Sequence, residues 1–101
     1  MKQKQANNPL SGLDKYSRLI GVSVDDMMSR CRLPEYVIAR QVWWHYLSSK
    51  DLGYTYIGMQ YGFNYSTVIH GVTHAENLIE AKDYYAMECV KAIEIINKNQ
   101  K

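Results

Sequence analysis

The stretch YTYIGMQYGFNYSTVIHGVTHAENLI, residues 54–79, decides the fold. It holds two segments of helical apolar spacing divided by Gly62 and by Asn64, and asparagine suits a helix N-cap because its side chain accepts from a free backbone N–H. In the first segment Ile57 and Tyr61 lie one turn apart, and Gly58 has no side chain to hold off a crossing helix. In the second, Val68, Val72, Ala75 and Ile79 recur at spacings of four, three and four, which draws one apolar stripe down a helix. Ser66, Thr67, His70, Thr73, His74 and Asn77 fall on the other side. The outline is a helix-turn-helix over residues 54–80. An uncharged, hydrogen-bonding face at the start of a helix, held up by a short preceding helix, is what reading base edges in a DNA major groove requires. The same periodicity also describes two ordinary helices of a small bundle with a solvated face.

Upstream of this stretch, Pro34 opens the strongest helix signal, because proline at a first helical position gives up no needed hydrogen bond. From there to about Ser49, Ala39, Val42, Trp43, Tyr46 and Leu47 follow the i, i+3, i+4, i+7, i+8 pattern of a core-facing stripe. Trp44 lies off that stripe, against another helix or at a rim. Leu13, Tyr16, Leu19 and Ile20 predict an earlier helix over 10–20, ended by Gly21. Ser23 with Asp25 and Asp26 suits the start of a short second helix, whose far end carries Arg30 and Arg32 on either side of Cys31. Downstream, Asp83 caps a last helix marked by Tyr85, Cys89, Ala92 and Ile96. No alternating run suggests a strand, so the chain reads as all-α.

Length and composition bound the function. A chain of 101 residues is one domain, short of the usual size of an enzyme with its own substrate cavity. No acid/base pair and no nucleophile with a nearby base stands out, so no enzymatic activity, cofactor or metal is expected. His70 and His74 lie one turn apart, a spacing that can chelate a metal with Cys31 or Cys89 as a further ligand, but a structural zinc site takes four ligands and no metal is expected. The segment MKQKQANN reads as a disordered polar lead-in over 1–9 rather than a signal or anchor, and no apolar run approaches the ~20 residues of a membrane span, so a cytoplasmic location is expected. The net charge of +2 says little, but its distribution is uneven: residues 1–50 carry eight Lys or Arg against four acids, and residues 51–101 four against six. Between Lys50 and Lys82 there is no Lys or Arg at all, so a reading helix there must borrow phosphate-neutralising cations from earlier in the chain.

Arg40-Gln41, Ile57-Gly58 and the run Asn64-Tyr65-Ser66-Thr67-Val68-Ile69-His70-Gly71 together resemble the C-terminal DNA-binding domain of the bacterial replication initiator DnaA, in order and approximate spacing, from about Leu10 to Ile96. In that family the reading helix begins Asp-His-Ser/Thr-Thr-Val-hydrophobic-His-Ala. The resemblance implies a small bundle of five to six helices over 10–101, with a helix-turn-helix in a Trp repressor-like arrangement. It implies double-stranded DNA as partner, with replication proteins as further partners. Residue by residue it puts Asn64, Tyr65, Ser66 and Thr67 at the major groove and includes His70 in the DNA-binding set without a metal. It puts Arg32 in the minor groove, Arg40 and Gln41 on phosphates, and Arg30 close enough to join them.

Three departures fall on the reading surface or its loop. Phe63 stands where the family has a basic residue, Tyr65 replaces histidine, and the turn between Gly58 and Thr67 is one residue shorter. The resemblance therefore implies a different or relaxed site preference. A protein-interaction module that keeps the fold and no longer reads DNA is the competing expectation, with Phe63 and Tyr65 as exposed anchors.

Overall fold

The computed structural model describes residues 9–99: a 3-10 turn at Pro9–Gly12, then α1 (Leu13–Ile20), α2 (Val24–Met27), α3 (Pro34–Ser49), α4 (Tyr54–Tyr61), α5 (Tyr65–Glu80) and α6 (Tyr84–Asn99). The polar lead-in expected over 1–9 lies outside the described residues except for Pro9, which opens the 3-10 turn. One helix was expected over 10–20. The turn yields to α1 at Gly12 instead, since glycine is a poor interior helix residue.

The punctuation read from the sequence is in place. Gly21 closes α1 in the left-handed region at φ 76, and the Ser23 side chain accepts from the N–H of Asp26 at the start of α2. Pro34 occupies the first turn of α3, Asn64 accepts from the N–H of Thr67, and Asp83 accepts from the N–H of Ala86 at 3.0 Å. Each device satisfies a donor that a helix start leaves without an internal partner, or stops a helix where the next must begin.

The long helix α3 is the spine, against which α5 and α6 both pack. Ala39, Val42, Trp43, Tyr46 and Leu47 are buried as the stripe predicts, and Trp44 is buried too. Trp43 stacks on Tyr16 at 5.1 Å and donates its Nε1–H to the Tyr61 hydroxyl at 3.0 Å, while Tyr16 donates to the Ala39 carbonyl at 2.7 Å. Trp44 turns instead toward α5. A Cβ added at Gly71 would lie 2.7 Å from Trp44 Cε3, so α3 and α5 approach as closely as they do because position 71 has no side chain.

Gly58 serves a further purpose besides the one expected. The nearest group in the space a side chain would need is the carbonyl oxygen of Phe63, folded back by the turn that follows α4, and the crossing helix α5 comes second, with Val68 Cγ2 at 3.4 Å. That turn is fixed by Gly62 at φ 80 and by a bond from the Phe63 N–H to the Gly58 carbonyl at 2.9 Å.

Cys89 is buried and Cys31 is exposed, and both are free thiols. Burial pushes the Cys89 thiol from 9.0 up to about 11. A thiol-specific disulfide reagent under native conditions at pH 8 is therefore expected to modify Cys31 alone, with Cys89 reacting only on denaturation; two fast thiols would contradict this packing. Because the folded chain keeps the Cys89 proton up to about 11 while the unfolded thiol releases it near 9.0, this group's contribution is full below pH 9 and is lost as the pH climbs through that window. No described helix is long and apolar enough to cross a membrane.

Candidate nucleic-acid interface

The segment between α2 and α3, the first half of α3 and the start of α5 meet around a cleft of about 320 Å3 lined by Arg30, Arg32, Val37, Arg40, Gln41, Phe63 and Thr67. Five of the nine residues singled out from the sequence line this one cleft, namely Arg30, Arg32, Arg40, Gln41 and Thr67. Its lining contains three arginines and no carboxylate. Cations gathered without a counter-charge repel one another. The Arg40 guanidinium is accordingly held below its ordinary value, first by burial and then by the neighbouring charge of Arg30.

The three arginines are placed differently. Arg32 is exposed, lines the cleft and makes no hydrogen bond or ion pair among the described residues. Arg30 donates to the Gly62 carbonyl at 2.7 Å and lies 4.6 Å over the Phe63 ring, which ties the α2–α3 segment to the α4–α5 turn. Arg40, only 9% exposed, donates through Nη1 to the carbonyls of Met27 at 3.0 Å and Ser29 at 2.8 Å. It was expected to hold phosphate. The structure gives it a different first task, closing the end of α2 onto α3, and it adds charge to the cleft wall from within.

Phe63 is a correction of another kind. It lies in the loop before α5, one of its two expected places, but it is not the exposed anchor expected there, since only 8% of it is exposed. Its ring meets Trp44 edge-on at 5.0 Å and lies under Arg30 and Arg40, so it is the apolar floor on which two basic residues rest. Nor does Tyr65 pack on it across the turn. Tyr65 is 55% exposed and makes an edge-to-face pair with Tyr54 of α4 at 6.3 Å.

At the start of α5, Asn64, Tyr65, Ser66 and Thr67 are all exposed, and His70 is exposed one turn further on. Asn64 Oδ1 accepts from the Thr67 N–H at 2.9 Å and from the Ser66 hydroxyl at 3.2 Å. Two-way pairing of an asparagine with an adenine needs that oxygen, which the cap already uses, so the amide N–H2 is the polar group of Asn64 that the cap leaves over. Sequence reading missed one contact altogether: His74 Nδ1 lies 2.6 Å from Gln41 Oε1, joining α5 to α3 at the cleft edge. Its place on the polar stripe with Thr67 and His70 was the available signal.

Comparison with protein-family models, curated proteins and solved structures returns no match.

Proposed function

We propose that the chain is a double-stranded DNA-binding protein of the helix-turn-helix class, with α4 and α5 as the two helices of the motif. The observation that carries this reading is the carboxylate-free cleft in which three arginines from the α2–α3 segment and α3 stand beside Thr67, in the first turn of a 16-residue helix. The reading helix contains no cation of its own, and this cleft supplies what it lacks. The uncharged, exposed start of α5 enters the major groove with Asn64, Tyr65, Ser66, Thr67 and His70, and Arg32 reaches toward a neighbouring minor groove. The resemblance to the initiator's DNA-binding domain supports the same orientation and suggests a cytoplasmic role in replication initiation, its control, or transcription, on chromosomal, phage or plasmid DNA.

Fluorescence anisotropy with a duplex bearing the initiator's binding site, a scrambled duplex and rising salt tests this. With roughly four to six phosphate contacts, affinity is expected to fall with a log–log salt slope of about −0.9 per contact. Absence of salt-dependent binding to either duplex overturns the DNA reading and leaves the exposed Tyr54, Tyr56, Met59 and Tyr65 as the anchor set of a protein-interaction module.

A further inference from the structure

We propose that His74 is a positioning residue for DNA, acting through Gln41; this rests on the DNA reading above. The Gln41 side chain is held at two points. Its stem crosses α5 at Gly71, where a Cβ would lie 3.1 Å from Gln41 Cγ, and its Oε1 sits 2.6 Å from His74 Nδ1.

An amide carbonyl oxygen only accepts, so the proton in this contact belongs to His74 Nδ1. With Oε1 committed, the free polar group of Gln41 is its N–H2, a pure donor, on a side chain that lines the cleft beside Arg32 and Thr67. A donor presented to a cleft without carboxylates suits a phosphate oxygen. An untethered glutamine would present oxygen and nitrogen with equal ease and would lose its rotamer freedom only on meeting DNA. His74 removes that freedom beforehand and chooses which end of the amide faces out. Thr67, Gly71 and His74 succeed one another at spacings of four and three, so the residue that fixes Gln41 lies on the same stripe of α5 as the one that lines the cleft.

The test has a part without DNA and a part with it. In the free protein, imidazole 15N shifts are expected to report the Nδ1-protonated tautomer of His74 in the native chain and to lose that signature in Gln41→Ala. In anisotropy on a duplex the native chain binds, at one fixed pH, His74→Ala is expected to weaken binding about fivefold, the scale of ordering one flexible side chain on binding. His74→Asn, whose amide nitrogen substitutes for Nδ1–H, is expected to restore affinity to within about twofold of native. In a Gln41→Ala background, His74→Ala is expected to change nothing further.

An unperturbed affinity in His74→Ala overturns the proposal, as does an equal loss in the Gln41→Ala background, which would make His74 a direct DNA contact. A native chain that shows the tautomer signature but binds no duplex overturns the DNA reading and, with it, the role given to the pair.

Discussion

Gly58→Ala is expected to destabilise the fold by about 3 kcal/mol, although alanine in place of glycine inside a helix ordinarily stabilises by up to about 1 kcal/mol. The sign reverses because the new methyl group would have to occupy the position of the Phe63 carbonyl oxygen. That oxygen belongs to backbone, and the backbone there has nowhere to go. Gly62 is fixed in the left-handed region at φ 80, the Phe63 N–H is bonded to Gly58 itself, and the Phe63 ring is wedged against Trp44. For a domain of this size the loss corresponds to a fall in melting temperature of roughly 12 to 24 °C. Gly53→Ser is the control, since a Cβ at position 53 meets nothing within 4 Å and serine is a good residue at the N-cap it occupies. Thermal or urea unfolding reads both variants. A Gly58→Ala chain as stable as the native one would mean that the α4–α5 turn is not folded back on α4.

The same turn shows what was legible in the sequence. Local chemistry reads well from one residue at a time: Gly21, Ser23, Pro34, Asn64 and Asp83 each end or begin a helix for a reason contained in a few neighbouring positions. Periodicity gave the buried side of α5, because Val68, Val72 and Ala75 lie along one stripe turned to the interior, where α3 is the main partner. It placed Trp44 off the main stripe but left it open between another helix and a rim; the residue packs on α5, because a helix covered by several others has no single apolar stripe. Phe63 was misread for a related reason. Its neighbours in the chain are exposed, and nothing local reports that Trp44, Arg30 and Arg40, more than 15 residues away, close over it. For the site, the residue types and their gathering were recoverable from the motif, whereas the division of labour among the arginines was not. Arg30, Arg32 and Arg40 look alike in sequence, and only the positions of the Met27, Ser29 and Gly62 carbonyls separate them.

That division of labour is measurable. Arg32→Ala is expected to leave stability within about 0.5 kcal/mol of native, since the side chain is exposed and bonded to nothing else in the described chain. It is expected to weaken duplex binding roughly tenfold or more, to reduce the preference for A·T-rich flanks, and to make the salt slope shallower by about 1. Arg40→Ala is expected to do the converse. It strips the Met27 and Ser29 carbonyls of their donor and removes the guanidinium from over the Trp44 and Phe63 rings, at a cost of about 2 to 3 kcal/mol in unfolding, with the smaller effect on DNA coming from the cleft's lost charge and the loosened α2–α3 segment. Arg30 spans the two roles, so Arg30→Ala is expected to lower both quantities by smaller amounts, about threefold in binding, and Arg30→Ala with Arg32→Ala to weaken binding about thirtyfold. Urea titrations beside anisotropy at several salt concentrations separate these outcomes. Stability and affinity falling together in all three variants would mean that the arginines serve only the fold, and an unchanged salt slope in Arg32→Ala would place the DNA on another face of the molecule.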